Sequence, residues 1–192
     1  MQYIQTPSQT VGPFFDYGLF VFGDENILVN DHTRGQRIYV KGQVIDGDGN
    51  PVPDAMLEIW QADTNGYFNH AADPNHAKAD KNFRGFGRAD TVNAGKFNFK
   101  TVKPGAVAWD DQQMQAPHIN VRVFARGMLT HAYTRLYFSD ESAANETDPV
   151  LNLVDADRRH TLIAPREETD DLPTYCFNVV LQGEQETVFF NP

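Results

Sequence analysis

The stretch APHIN, residues 116–120, contains the most informative candidate for metal or acid–base chemistry in this sequence. It enters a predicted strand, where residues two apart face the same side, so His118 and Asn120 share one face. A metal could use that geometry if both side chains were imidazoles, but only one is. A single histidine at the start of a strand is more often a hydrogen-bonded structural residue than a ligand. These residues alone therefore favour a structural role.

Motifs of several common enzyme classes are absent from the sequence. It contains no GxSxG, GxxxxGK[ST] or HExxH pattern, and no GxGxxG after a strand. The GFGR at residues 85–88 is only a short glycine pair with no βαβ context. Hydrolase, kinase and dinucleotide-binding functions are therefore not favoured.

Composition narrows the class of protein further. The chain has 192 residues, 41% of them hydrophobic, which suits a single domain with one core. Its formal charge is -10 and it has no basic run, so nucleic acid and anionic membranes are poor partners. Cys176 is the one cysteine, which excludes intrachain disulfides and multi-cysteine metal sites. With no signal-peptide pattern and no long apolar run, the sequence predicts a cytoplasmic protein.

Short alternating segments separated by turn residues dominate the middle and the end of the chain. The turns DGDGNP and NAG suit tight connections between antiparallel strands. Residues 61–91 read as a long loop, and loops of that length are usually functional or disordered. We therefore predict an all-β fold, an antiparallel β-sandwich with long loops and two short peripheral helices at residues 141–146 and 149–162. The predicted strands are residues 37–45, 55–61, 96–102, 118–125, 131–138, 174–182 and 186–190.

The N-terminal residues carry an aromatic cluster, GPFFDYGLFVF, that is too apolar for a free tail. Its rings must be buried somewhere, and a neighbouring chain is as plausible a place as this one. We predict one domain over residues 1–192, with residues 1–36 forming an arm that packs on a partner chain. The aromatic residues concerned are Phe14, Phe15, Tyr17, Phe20 and Phe22.

Eight segments, in order from residue 6 to the C-terminus, carry a family resemblance: TPSQTVGPFF, LEIWQADTNGYF, FRGFGR, TVKPGAVAW, APHINVRVFARG, HAYTRLYF, DPVLNLV and QGEQETVFF. Together they resemble the intradiol ring-cleavage dioxygenases. The resemblance implies a β-sandwich and a non-haem ferric ion held by two tyrosinate oxygens and two histidine nitrogens. The ion binds a catecholate, which becomes the electron-rich partner that O2 attacks.

The resemblance also gives the places of the four iron ligands in this chain. The two tyrosine places are Asn75 and Val107, and the two histidine places are His118 and Asn120. Only His118 has a side chain of the expected type. Loss of both anionic oxygens and one imidazole removes most of the coordination and the charge neutralisation, so these relic positions should not hold Fe(III). No metal ligand or catalytic residue is predicted in this chain.

The opening TPSQT and the ending QGEQETVFF are typical of the alpha chain in the family members built from two kinds of chain. The resemblance therefore implies a non-iron-binding alpha chain whose homologous beta chain binds Fe(III). It also implies protocatechuate and O2 as substrates, 3-carboxy-cis,cis-muconate as product, and many alpha/beta pairs in one particle. Two alternatives stay open. One is a self-sufficient dioxygenase with ligands drawn from Tyr67, His70, His76 and His118, and the other is a β-sandwich binding module without chemistry.

Four residues are predicted to contact the substrate beside the partner's iron. By resemblance, Thr10, Gly12 and Pro13 belong to an N-terminal segment that approaches the beta-chain site. Arg126 matches an arginine near the mouth of the pocket, and its fork of donors suits the carboxylate of protocatechuate. The Gly-Pro pair could equally be a turn, and Arg126 could be an ordinary surface residue.

Overall fold

The computed structural model describes residues 17–169 and 171–191. No helix in this part of the chain is long and apolar enough to cross a membrane. The strands, in chain order, are β1 (Arg37–Ile45), β2 (Met56–Trp60), β3 (Phe86–Asp90), β4 (Lys96–Val102), β5 (Val107–Ala108), β6 (Met114–Gln115), β7 (His118–Phe124), β8 (Ala132–Phe138), β9 (Ile163–Ala164), β10 (Arg166–Glu167), β11 (Thr174–Cys176) and β12 (Val179–Val180). The α-helix α1 (Ser142–Thr147) and three 3-10 helices, His76–Lys78, Leu151–Leu153 and Arg159–Leu162, lie between them, and residues 17–19 are also helical.

Two five-stranded sheets form a sandwich, as predicted from the alternating segments. The first has the order β10-β11-β1-β12, with β4 also paired to β1, and the second has the order β3-β2-β7-β8-β9. The long pairs, β1 with β4 and β2 with β3 and β7, are antiparallel, as is β7 with β8. Short parallel pairs of β1 with β11 and β12, and of β8 with β9, make both sheets mixed.

The main core lies between the two sheets and uses every second residue of the long strands. Ile38 and Val40 of β1 are buried against the inward residues of β2 and β7, such as Ile59 and Val121. Burying each such side chain stabilises the fold by about 1.5–3 kcal/mol. Because successive strand residues point to opposite faces, the alternate residues of β2, β7 and β8 are directed away from this core. His118 and Asn120 belong to that outward set.

The structure differs from the sequence prediction at several elements, and the predicted strand 174–182 is divided into β11 and β12. Strand β3 lies in the segment predicted to be loop, because its inward positions are small residues, Gly87 and Ala89, which hide the alternation. A Cβ at Gly87 would lie 2.6 Å from a methyl carbon of Leu28. The predicted strand 186–190 is reduced to a bridge between Phe190 and Tyr133. The predicted helix 149–162 is two 3-10 helices, since the backbone becomes extended at Val154.

The remaining long loop is fastened by two buried aspartates. Asp63 accepts hydrogen bonds from its neighbours' backbone and from the backbone N–H of Asp80, the last at 2.7 Å. Asp80 in turn accepts from the N–H groups of Arg34 and Asn82, at 2.8 and 2.9 Å. Burial favours the neutral form of Asp80, but these N–H groups outweigh it and lower its pKa. The loop that contains His70, His76 and Asn75 is therefore tied to the sandwich.

The N-terminal arm divides into two parts within the described residues. Leu28 is buried in this chain's own core, and its N–H donates to the carbonyl of Lys100. Tyr17 and Phe22 are 78% and 81% exposed, and Phe20 is half-buried. The first sixteen residues, with Thr10, Gly12, Pro13, Phe14 and Phe15, lie outside the described residues. Among the described residues, the rings of Tyr17 and Phe22 are thus the part of the arm that stays uncovered.

Candidate functional site

The relic positions predicted on β7 lie on the outer face of the second sheet. Strand register places Asn120 directly between Trp60 of β2 and Arg135 of β8. His118 is paired in the same way with Tyr137. This row of polar and aromatic side chains is built by antiparallel pairing alone, since residues opposite each other in neighbouring strands share a face.

His118 is 3% exposed and lies below the surface of this face. Its Nδ1 is 2.8 Å from the carbonyl oxygen of Ala116, and because a carbonyl only accepts, Nδ1 carries the ring proton. The ring packs at 5.9 Å from the ring of Tyr137. Burial, followed by the positive charge of Arg135, lowers the pKa of His118 to about 4. At neutral pH the imidazole is therefore uncharged.

Asn120 places a neutral amide at the second histidine position, and Arg135 places a guanidinium beside it. The hydroxyl of Tyr133 donates to Oδ1 of Asn120 at 2.6 Å, so the amide oxygen already has a partner. Arg135 donates from Nη1 to Oε1 of Gln115 at 2.8 Å and is half-buried. The guanidinium is therefore a fixed positive charge beside both positions that resemble histidine ligands.

Asn75 and Val107 lie farther out, around a neighbouring pocket. Asn75 precedes the 3-10 helix His76–Lys78, and its N–H donates to Asp73 at 2.7 Å. Val107 belongs to the two-stranded ribbon of β5 and β6. Both line a pocket of about 660 Å3, whereas Asn120 lines an adjoining pocket of about 390 Å3. Trp60 and His70 line both pockets, so three of the four relic positions lie around two adjoining pockets.

The four relic side chains do not fit a ferric ion. An amide, an isopropyl group, a buried neutral imidazole and a second amide supply no anionic oxygen for this hard cation. Arg135 adds a positive charge where a trivalent ion needs negative ones. Among the described residues there is also no group of three or more His, Cys, Asp or Glu side chains placed to hold a metal.

The side chains proposed for a self-sufficient iron site are engaged elsewhere. Nδ1 of His70 accepts from the N–H of Ala72 at 3.2 Å, while the ring meets Trp60 edge-on at 6.0 Å. Nδ1 of His76 lies 3.0 Å from a backbone carbonyl one turn away, and the ammonium of a lysine covers the ring of Tyr67. His118 is buried on β7, whereas Tyr67, His70 and His76 lie in the loop between β2 and β3, so these groups do not converge on one point.

A buried carboxylate that the sequence analysis missed supports this face. Asp148 accepts from the hydroxyl of Tyr137 at 3.0 Å and from the N–H of Ala116 at 2.7 Å. It also accepts from the N–H groups of Val150 and Leu151, at 2.9 and 2.7 Å. Burial, together with the negative charge of Asp148, raises the pKa of Tyr137 far above its ordinary value. The phenol that contacts His118 is therefore neutral and serves as a donor.

Arg126 is not brought together with the relic positions. It follows β7 at the end opposite to His118, its side chain is 69% exposed, and its Nε lies 3.2 Å from a carboxylate oxygen of Asp54. It lines neither of the two pockets described above. The substrate contact predicted for Arg126 therefore lies on a surface separate from the relic positions.

Comparison with known proteins gives close relatives along almost the whole chain. A family model described as "Dioxygenase" matches residues 11–183. The chain is 48% identical to the protocatechuate 3,4-dioxygenase alpha chain of Burkholderia cepacia, over 97% of both sequences. It is 31% identical to the beta chain of the same organism's protocatechuate 3,4-dioxygenase, over 85% of this chain and 72% of that protein.

Solved structures agree with the sandwich. The dioxygenase domain of a dioxygenase carbohydrate-binding protein fusion from Streptomyces sp. SirexAA-E superimposes with a TM-score of 0.60 at 23% identity, covering 85% of this chain and 88% of that one. At this identity the likeness concerns the fold alone.

Proposed function

This chain belongs to the intradiol dioxygenase family, and from that premise we propose that it is the alpha, non-iron-binding chain of a protocatechuate 3,4-dioxygenase. The observation that carries the proposal is the 48% identity to such an alpha chain over 97% of both sequences, against 31% to a beta chain. In this function the chain works as half of an oxidoreductase, and a homologous beta chain supplies the ferric ion.

The proposed reaction is the oxygen-dependent opening of protocatechuate between its two hydroxyl-bearing carbons. Both atoms of O2 enter the product, 3-carboxy-cis,cis-muconate, and no further reductant is needed. The ferric ion supplies the chelation that makes the catecholate reactive toward O2. The side chains at this chain's own relic positions support placing that ion on the partner, since they offer one buried neutral imidazole and no phenolate.

Two features of this chain suit its proposed place beside the partner's site. The exposed rings of Tyr17 and Phe22 give residues 1–36 an apolar surface that a partner chain would cover. Among the described residues the exposed Arg126 pairs only with the half-exposed Asp54, so its guanidinium can exchange that carboxylate for one on a substrate. We include Thr10, Gly12 and Pro13 in the same contact surface, a cytoplasmic location, and assembly of several alpha/beta pairs.

The test is expression of this chain with and without a homologous beta chain, followed by iron analysis and oxygen uptake on protocatechuate. We expect the chain alone to be colourless, iron-free and inactive, and the complex to bind one iron per alpha/beta pair. His118→Gln in this chain serves as the control, because it should leave the iron content of the complex unchanged. Iron-dependent activity from this chain alone, or loss of iron in the His118→Gln complex, would overturn the proposal.

A further inference from the structure

The outer face of the first sheet carries a row of side chains whose two ends have opposite charge. Strand register joins four residues, one from each of β10, β11, β1 and β4, into this charged row: Glu167, Thr174, Tyr39 and Lys100. Residues paired across neighbouring strands share a face, and because the neighbours of Tyr39 along β1 are buried in the core, that face is the outer one. A carboxylate and an ammonium group thus end a row that spans three strand spacings, about 14 Å.

The ammonium end of the charged row concentrates positive charge. Nζ of Lys41 lies 4.6 Å from the centre of the Tyr39 ring, and Nζ of Lys100 lies 6.0 Å from it. Among the described residues, neither ammonium group takes part in an ion pair. Ile27, which is 42% exposed, is bridged to Lys100 and adds an apolar side chain to this end.

The carboxylate end of the charged row lies at the edge of the sheet. Glu167 is exposed and makes no ion pair with any described residue. Burial, followed by the negative charge of the exposed Asp171, raises the pKa of Tyr39, so a second carboxylate lies near the row. The neighbouring Glu168 is paired with Arg166 at 2.5 Å. Glu167 and Asp171 are therefore the carboxylates of this edge that can bind a further cation.

Opposite charges at its two ends make this face complementary to itself. A two-fold axis that lies between two such faces and runs along the strands reverses the strand order in the second copy. Lys100 of each copy then lies over Glu167 of the other, and Tyr39 lies over Thr174, so two contacts between opposite charges form together. We propose that the outer face of the first sheet binds the same face of a second copy of this chain about such an axis.

A second copy fits this face better than a uniformly charged partner. An acidic partner would be repelled by Glu167 and Asp171, and a basic one by Lys41 and Lys100. Because each copy has a formal charge of -10, two copies repel each other unless opposite charges meet locally, and the charged row supplies that contact. Four paired strands and the bridged Ile27 make the face about 19 Å wide, and the nine residues of β1 make it about 30 Å long, which suits a small and weak interface.

The test is sedimentation equilibrium of the full chain at about 100 mM NaCl, where charges interact over about 10 Å. We expect a reversible monomer–dimer equilibrium. Lys100→Glu alone and Glu167→Lys alone should each weaken dimerisation at least about tenfold, because each substitution sets like charges opposite each other at both contacts. An equal mixture of the two variants should restore dimerisation, since both contacts between the two kinds of chain again join opposite charges. The matched controls Lys78→Glu and Glu146→Lys, exposed on other elements, should dimerise like the unchanged chain.

Three results would refute the contact: an unchanged chain that stays monomeric, charge-swap variants that dimerise like their controls, or a mixture that fails to restore the dimer. If the two variants dimerise normally and instead fail to bind a co-expressed beta chain, the face belongs to the alpha/beta contact and the proposal is wrong. Lys41→Glu repeats the test at a neighbouring exposed lysine, and circular dichroism checks the fold of each variant. The inference stands apart from the alpha-chain function, because iron content and oxygen uptake of the alpha/beta complex measure that function and neither requires contact between two copies of this chain.

Discussion

Acidification should destabilise this protein at pH values where most of its carboxylates are still ionised, and His118 is the reason. The ring is 3% exposed, faces Arg135, and has a pKa of about 4 in the folded chain. In the unfolded chain a histidine titrates near about 6.5. A lowered folded pKa means that the unfolded chain binds the extra proton first. The stabilisation is therefore fully present above pH 6.5 and is lost as the pH falls toward 4.

The magnitude follows from the two pKa values. At pH 5 the unfolded chain holds nearly one more proton at this position than the folded chain, so the free energy of unfolding falls by about 2 kcal/mol between pH 7 and pH 5. That is a large part of the about 5–15 kcal/mol that holds a typical domain together.

Urea denaturation of the full chain at pH 7 and pH 5 measures this difference. His118→Gln removes the titrating group while keeping a donor for the carbonyl of Ala116, so its stability should change little between the two pH values. His32→Gln, at an exposed histidine, should keep the full loss of the unchanged protein. An equal loss in His118→Gln and the unchanged protein would show that another group carries the acid sensitivity, and the reasoning about burial would be wrong.

Three further substitutions test other parts of the structure. Asp148→Asn should lower the free energy of unfolding by about 2–4 kcal/mol, because an amide cannot accept from all four donors. The control Asp157→Asn, at the surface, should change the free energy of unfolding little, and equal urea midpoints for the two variants would contradict the prediction. Ala94→Gly should raise the free energy of unfolding by about 0.5–1 kcal/mol, because Ala94 has a positive φ of 51° that glycine adopts without strain. Ala108→Gly should not raise the free energy of unfolding, and a lower melting temperature for Ala94→Gly would refute the strain. Arg126→Ala in the alpha/beta complex should raise KM for protocatechuate about tenfold with kcat unchanged, and an unaltered KM removes Arg126 from the substrate contact.

The sandwich was predictable because its long strands bury one large side chain at every second position. This pattern located β1, β4, β7 and β8 to within a few residues. It failed for β3, where Gly87 and Ala89 occupy the inward positions and leave no hydrophobic alternation to detect. It also could not show that Asp148 is buried and hydrogen-bonded to Ala116 and Tyr137, since these contacts join residues far apart in the sequence.

The relic positions were predictable from local motifs, but their surroundings were not. APHIN is a short pattern, and it places His118 and Asn120 on one face without any structure. Arg122 follows Asn120 by two residues on the same strand and therefore shares its face, but Arg135 lies near them only because β7 pairs with β8 in one particular register. A shift of one residue would turn Arg135 to the other face of the sheet. The charge that Arg135 adds is therefore a property of strand pairing and cannot be read from any single segment.

The positive charge of Arg135 and Arg122 explains how the same fold can occur with and without a metal ion on this face of the sheet. In the iron-binding pattern that this chain resembles, two phenolate oxygens balance a trivalent cation, and the sheet face must attract positive charge. Here the phenolate places hold Asn75 and Val107, and two guanidiniums, Arg135 and Arg122, lie on the same face. Because hydrophobic burial on the inner face holds the sandwich together, the outer face can lose the anionic ligands of a metal without loss of the fold. A chain of this kind keeps its shape beside a catalytic partner while its own relic positions no longer suit a ferric ion.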